Sequence, residues 1–552
     1  MANKAYDIDA VSIRTSNHGS FQNELDQLSQ RCSQSHAYPR PDLEGLSSHL
    51  RSTNFGRHGS DAYVPGDVEA DIRDSIAVVH DLVTGNQTCF DPTTKGLNEF
   101  TALEQDGTSL VFIRGHASSQ WLRIIAEKYK ILPELFRRHL QGRAFNLEPR
   151  NLYSFPSLPS TSSRIIQLTI STICSRGINP YSAEPEDLEA AREIEAEGLT
   201  RYFQKLRSEA KVADSIIRNC YLVSEQEYVL EQTISIEINQ SHTSWRAVVW
   251  LDSGRDLSKC TNGPWCPRPG SRPWETYFYP VIVHQDVEHA TNVRHENFSA
   301  PSMTTLPRTN TFRKPIAKPN EPNDEWRAAQ NICMIPIQYG YGLDLEVARK
   351  DALYALSELF QFAAASESQC LNLLQSRIEH ELSFIGQEGL GRYNASSLLN
   401  LRYIKTVLTS HIQRLAQILR TLENRKNMNW PCSHSPVAEK SGTRLFIDLN
   451  YLLSCAQNLS LECERGIGTL ADSSILEESR RTLTQAERVR KLTVLATIFI
   501  PLTFTCSIFG MNFVELGTGD LHIWIYFATT VPVIGMSIFM YNFDNIKRLL
   551  RF

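Results

Sequence analysis

The chain has 552 residues, with 56 basic and 61 acidic side chains and a net charge of −5. That length suits two or three domains, and the near balance of charge excludes the basic surplus on which general nucleic-acid binding depends. A hydrophobic fraction of 41% and a mean hydropathy of −0.29 describe a mostly water-facing protein, an average that would hide a short membrane section. The twelve cysteines follow no repeated spacing, and the closest pairs, Cys260 with Cys266 and Cys455 with Cys463, are not CxxC pairs. Reduced structural thiols in a cytosolic compartment are expected.

The first twenty residues contain no apolar core and carry Asp7 and Asp9, so neither a cleaved signal nor a transit peptide is expected. Residues 1–75 are polar and weakly periodic, which predicts a disordered extension. Residues 76–298 read as a cytosolic α/β domain. Short apolar runs at Leu110–Ile113, Arg164–Ile170 and Trp245–Leu251 predict strands, and Ile234, Ile236 and Ile238 alternate with Ser235 and Glu237 as in a half-buried strand. Trp121–Leu140 and Pro185–Leu206 read as helices, the first with Arg137, Arg138 and His139 on an exposed face. His284, Asp286, His289 and His295 are residue types that ligate metals, but their loop-like flanks favour a solvated loop. Residues 299–325 are Pro-rich and read as a linker or long surface loop.

From 326 to 490 the pattern becomes that of a helical stalk. Asp344 is a candidate cap for a helix carrying Leu353, Leu356, Phe360, Ala363, Cys370 and Leu374. A second helix carries Ile404, Leu408, Ile412, Leu415, Leu419 and Leu422. A third begins near Gly442 with Leu445, Leu449, Leu452, Ala456, Leu459, Cys463, Ile467 and Leu470, spaced as an interhelical seam. No proline interrupts it before the next apolar stretch, so one helix from Thr443 to Phe509, about 100 Å long, is expected.

Two uncharged stretches follow, 492–509 and 521–543, inside a two-helix membrane domain at 491–545. Both qualify against the roughly 20 residues a bilayer requires, the first narrowly. Arg488, Arg490 and Lys491 precede the first, and Lys547, Arg548 and Arg551 follow the second, in and beside a basic tail at 546–552, whereas the loop between has neither Lys nor Arg. Both termini should therefore be cytosolic. Placed at 100° per residue, Val489, Thr493, Ala496, Ile500, Thr503 and Ser507 share one face of the first helix, with Leu492 and Gly510 at its edge; Leu495, Ile498, Leu502 and Phe509 lie opposite. A small, partly hydroxylated stripe of this kind serves either close helix packing or a pore wall. The fold class is α+β: an N-terminal mixed α/β cytosolic domain, a long helical stalk and two C-terminal transmembrane helices.

The first stretch ends in Gly510-Met511-Asn512, within ATIFIPLTFTCSIFGMNF from Ala496 to Phe513. This segment resembles the CorA magnesium-transporter family, in which a Gly-Met-Asn tripeptide closes the first of two C-terminal transmembrane helices. The hydrophilic N-terminal extension and Pro-rich insert are similar to fungal members. The resemblance implies a homopentameric channel in the lipid bilayer, with no permanently bound cofactor. Mg2+ or another divalent cation is then the transported ion. Gly510, Met511 and Asn512 would form the outer entrance, with Asn512 binding the hydrated ion, Thr503 a deeper polar ring, and Ile500, Leu492 and Val489 apolar gates. The family's cytosolic metal-sensing carboxylate is replaced by Ile475, with Asp472, Glu477 and Glu478 nearby as candidate substitutes. The outer loop offers Glu515 and Asp520 as its only charges. Oligomer contacts are expected from the stalk seam and the small-residue face. A zinc or proton-coupled carrier on the same scaffold, or a membrane-anchored interaction protein without transport, are the other readings. No GxGxxG after a strand, GxxxxGK[ST], HExxH or GxSxG is present, so no enzyme is expected.

Asn86-Gln-Thr88, Asn297-Phe-Ser299 and Asn394-Ala-Ser396 have the form of glycosylation acceptors. With the N-terminal bulk in the cytosol they stay unmodified. A mass shift on glycosidase treatment of the native protein overturns that orientation.

Overall fold

The computed structural model describes residues 21–34, 40–51, 74–104, 107–140, 158, 164–176, 188–240, 244–257, 260–263, 276–284, 330–383, 391–426, 430–511 and 524–549. They form two compact units. One comprises residues up to Glu381 with Leu399–Glu464, the other Leu382–Leu398 with Arg465 onward.

The first unit is built on a sheet of eight strands among the described residues: β1 (Ala77–Asp81), β2 (Gln87–Phe90), β3 (Ser109–Arg114), β4 (Ile165–Arg176), β5 (Asn219–Leu222), β6 (Glu227–Gln240), β7 (Trp245–Leu251) and β8 (Thr276–Phe278). Their order is β2-β1-β3-β7-β6-β4-β8, with β5 paired to β6. Only β3 and β7 run parallel among these pairs. Strands β3 and β7 carry continuous apolar runs, Leu110–Ile113 and Ala247–Leu251, because both faces are covered, as in any sheet packed on two sides. On one face Val111, Ile113, Val248 and Trp250 join a core with α3 (Thr94–Ala102), α4 (Ser119–Tyr129) and α5 (Pro133–Leu140). Phe112, between Val111 and Ile113, instead meets His80 and Tyr339, with ring centroids 5.4 and 5.0 Å away. A smaller core gathers Tyr202 and Leu206 of α6 (Leu188–Glu209) against Leu222, Tyr228 and Leu230.

The extension expected to be disordered contains two helices, α1 (Phe21–Ser33) and α2 (Pro41–Arg51). Leu25, Leu43, Leu46 and Leu50 belong to the same core as α4 and α5. Asp26 joins the two helices, accepting from Ser47 and pairing with Arg51 at 2.6 Å. The rest of 1–75, apart from residues 34, 40, 74 and 75, lies outside the described residues.

Arg137, Arg138 and His139 correct another expectation, because all three are buried. The predicted 121–140 helix breaks at Lys130, which takes the left-handed conformation at φ 53°, and α5 restarts at Pro133 with these side chains turned inward. Glu134 pairs with both arginines, at 2.7 Å from Arg138. Burial opposes its charge, but the two guanidinium groups outweigh burial and hold its carboxyl below the ordinary range. His139 stacks on Trp250 at 3.9 Å between centroids, with Nδ1 2.8 Å from the Ser235 hydroxyl and Nε2 3.2 Å from Asp252. Arg218 completes the cluster through Asp252 at 2.6 Å and the His139 carbonyl at 2.6 Å.

Ser235 and Glu237 are likewise fully buried, so β6 is not the half-buried strand its alternation predicts. Glu237 faces α5 and accepts the Leu132 N–H at 3.1 and 3.2 Å, at that helix's N-terminus.

Ahead of the long helix, the shorter helices of the 326–490 region bond to the sheet. Asp344 and Asp351 cap single-turn helices at Leu345–Ala348 and Ala352–Ala355. After them come α7 (Ser357–Ser383) and α8 (Gly391–Glu423). Ser366 of α7 accepts the Ser171 N–H at 2.7 Å and donates to its carbonyl at 3.0 Å. Arg414 of α8 grips Glu231 of β6 with both terminal nitrogens, at 2.7 and 3.2 Å. His411 sits 2.7 Å from Glu367 and 3.2 Å from the Tyr221 hydroxyl, which in turn lies 3.2 Å from the Cys370 sulfur. Burial pushes that thiol up to about 12, so it stays an unreactive core group. All eleven cysteines among the described residues are free.

Helix α9 runs from Pro436 to Phe509 without interruption. Leu445, Leu449, Leu452, Ala456, Leu459, Cys463 and Leu470 are all buried within the single chain. The seam expected to meet other subunits is therefore already covered.

Burial pushes the Glu237 carboxyl up to about 7, against Leu132, Asn239 and Arg164, which favour its charge. The folded chain thus holds this proton more tightly than the unfolded chain, whose value is 4.5. The resulting stability is full below the unfolded value and is lost as pH rises through about 7. Glu237→Gln should match the parent near pH 4.5 and exceed it at pH 8 by up to about 3 kcal/mol. Thermal melts of the detergent-solubilised protein test this; an equal difference at both pH values rules it out.

Candidate functional site in the apolar helix pair

The second unit holds the two helices long and apolar enough to cross a membrane: the end of α9, and α10 (Trp524–Leu549), whose apolar window is Trp524–Tyr541. Only 6% of either window is buried, the opposite of a soluble core helix. Pro501 and Pro532 lie inside these helices. Each removes one backbone donor, a loss that an apolar phase tolerates only with local compensation. Threonines of α9 also donate back to carbonyls of the preceding turn. Thr493 donates to Val489 O at 2.8 Å and Thr497 to Thr493 O at 2.8 Å. Thr503 donates to Phe499 O, and Thr505 to Pro501 O at 3.1 Å and Leu502 O at 2.9 Å. Once the hydroxyl hydrogen is directed inward, what a threonine shows outward is an acceptor oxygen.

The two helices meet along a narrow line. Thr505 and Thr530 are buried against each other, with hydroxyl oxygens 3.4 Å apart. The Cys506 sulfur lies 2.9 Å from the Tyr526 hydroxyl, and Phe509 and Tyr526 meet edge to face at 5.7 Å. These contacts fix an antiparallel register. On α9 they occupy the sector of Pro501, Thr505 and Phe509, about 180° around the helix from the centre of the Val489–Ser507 stripe at 100° per residue.

That stripe remains uncovered. Val489, Leu492 and Ile500 are 55%, 66% and 67% exposed; Thr493, Thr503 and Ser507 are exposed too, and Ala496 is half-buried. The helix closes at Gly510, whose N–H reaches Cys506 O at 2.9 Å, and at Met511, whose N–H reaches Ile508 O at 3.2 Å. Gly510 is not among the glycines with positive φ, so the closure does not use a left-handed turn. Asn512, Glu515 and Asp520 lie outside the described residues.

The candidate sensing acids do not converge within one chain. Asp472 and Glu478 are exposed, and Glu477 pairs with Arg481 at 2.5 Å. Successive members of the three lie about 140° and 100° apart around α9. Among the described residues no group of three His, Cys, Asp or Glu side chains could hold a metal ion. His284 is exposed, and Asp286, His289 and His295 lie outside the described residues. The Thr505–Thr530 contact was missed in the sequence. Its one signal was a threonine placed a turn beyond Pro501, on the face opposite the stripe.

A charged helix that turns apolar, closes after eighteen residues and is answered by a second apolar antiparallel helix defines a two-span membrane segment. Residues 460–543 match the family described as CorA-like Mg2+ transporter protein, so over this segment the chain is similar to that family. Among solved structures, the complete structure of CorA magnesium transporter from Methanocaldococcus jannaschii is similar at 11% identity and a TM-score of 0.35, covering 85% of this chain and 97% of that one. Among curated proteins there is no match.

The register is tested by cross-linking. In a Cys506→Ser background, Thr505→Cys with Thr530→Cys should form a disulfide readily under mild oxidant, because the two positions face each other at bonding range. Thr503→Cys with Thr530→Cys should not. Equal cross-linking of both pairs overturns the packing.

Proposed function

We propose that this chain is a divalent-cation transporter of the CorA type, with Mg2+ as its ion and α9 as the pore wall. The supporting observation is that α10 packs on one side of α9 and leaves the opposite stripe, Val489 to Ser507, uncovered. Two helices cannot by themselves enclose a water-filled path. The path is completed by further copies of the chain around that stripe; a pentamer is the number the family resemblance implies.

The chemistry suits a strongly hydrated ion. Mg2+ gives up water reluctantly, so neutral acceptors that hold the hydration shell serve better than carboxylates that strip it. Asn512 is placed by sequence immediately beyond the closing turn of α9, where its amide would meet the ion first. Below it, the outward oxygens of Thr503 and Thr493 offer acceptors between the apolar levels of Ile500, Ala496, Leu492 and Val489. Glu515 and Asp520 would raise the local cation concentration at the mouth.

The test is uptake of several divalent cations into liposomes containing the purified protein. The parent should transport Mg2+, and Asn512→Ala should cut uptake at least about tenfold with oligomeric state unchanged. Asn542→Ala, on α10, should retain most activity. Parent-like uptake by Asn512→Ala removes the proposed role of that residue, and an inactive parent favours the anchored, non-transporting reading.

A further inference from the structure

Pro501 and Pro532, one inside each apolar helix, stand at nearly one depth in the helix pair. Thr505 is level with Thr530 and Phe509 with Tyr526. Stepping the same distance from Thr505 and Thr530 sets Pro501 level with Ile534, two residues or about 3 Å from Pro532 at 1.5 Å per residue. The contact of Cys506 with Tyr526 shifts that register in the direction that brings the prolines closer still. All three contacts lie on one side of the prolines, toward the ends of the helices at Gly510 and Trp524. These are their loop-side ends.

The two rings face different ways around their helices. Pro501 is buried and lies about 40° around α9 from Thr505, on the side that meets α10. Pro532 is exposed and lies about 200° around α10 from Thr530, on the side away from α9. A proline ring crowds the carbonyl four residues before it and lacks the N–H that would bond there; the two carbonyls are those of Thr497 and Ala528. The helix opens on the proline's side and bends away from it. The loop-side end of α9 is therefore directed away from α10, and that of α10 toward α9. Both bends run in one sense, so the contacts between the loop-side ends survive them.

We propose that Pro501 and Pro532 form one paired hinge, on which the loop-side ends of α9 and α10 tilt as a single body toward the Val489–Ser507 stripe. Thr503 and Ser507 move with that body, whereas Val489 to Ile500 do not. Under the transporter reading, the hinge sets the width of the path at its loop-side end. The hinge itself rests only on the packing of the two helices, so its first test is blind to transport. In full-length protein carrying Cys506→Ser, Thr505→Cys and Thr530→Cys, the rate of disulfide formation under mild oxidant reports whether the loop-side ends keep their register. Pro501→Ala alone, or Pro532→Ala alone, sets a straight helix against a bent one and should slow that rate at least about fivefold. The double replacement straightens both helices and should return the rate to within about twofold of the parent. Val531→Ala, an exposed neighbour of Pro532, should change nothing. Single replacements that cross-link as fast as the parent overturn the proposal, and so does a double variant slower than either single. In liposomes the double variant should take up Mg2+ at least about fivefold more slowly than the parent, and equal uptake overturns the tilting movement. An inactive parent sinks the transporter reading, and the cross-linking alone then decides the hinge.

Discussion

One backbone hydrogen-bond ladder, from Pro436 to Phe509, underlies everything that follows it in the chain. It must hold in two solvents. Up to Glu464 it survives because one apolar stripe is covered within the first unit while polar residues face water. In the span, no water is available to repair a broken bond, so each lost donor needs compensation on the spot. Gly466 and Gly468 weaken the ladder by about 1 kcal/mol each relative to Ala, and Pro501 deletes a rung outright. Neither ends it. The threonine hydroxyls that donate back to carbonyls around Pro501 show how an apolar helix can carry polar side chains without leaving their hydrogens unsatisfied.

The first unit depends on buried polar groups to an unusual degree. Arg414 with Glu231, and His411 with Glu367 and Tyr221, tie α7 and α8 to the sheet in one network. The Asp252 cluster ties α5 to the same sheet. Buried ion pairs of this kind add little net stability over apolar replacements, but losing one partner strands the other. Their effect here is to fix which helix lies on which strand.

Much of this architecture was readable in the residues, for physical reasons. Strands β3 and β7 announce themselves because burial on both faces demands unbroken apolar runs, Leu110–Ile113 and Ala247–Leu251. The two spans are legible because a bilayer imposes a minimum length that few soluble helices meet. By contrast, α1 and α2 hide among polar residues, since Leu25, Leu43, Leu46 and Leu50 are too few to set a clear period. The pairing of Glu134 with Arg137 and Arg138 was visible as an i,i+3 and i,i+4 pattern; that the pair is buried was not. His139 could not be read at all, because its partner Asp252 is more than a hundred residues away. Of the candidate site, the stripe on α9 came from periodicity alone, whereas the partner face was invisible. The Thr505–Thr530 register exists only once two helices run antiparallel side by side.

The inward donation by Thr493 and Thr503 has a consequence for charge discrimination. With their hydrogens committed to Val489 and Phe499, these side chains can accept but not donate, and the Val, Leu, Ala and Ile that share their stripe can do neither. A chloride or phosphate ion in the proposed path would shed water and receive no hydrogen bond from either threonine. A hydrated cation would find acceptors for its outward-pointing water hydrogens. These two threonines can therefore favour cations over anions with no charged side chain on the wall.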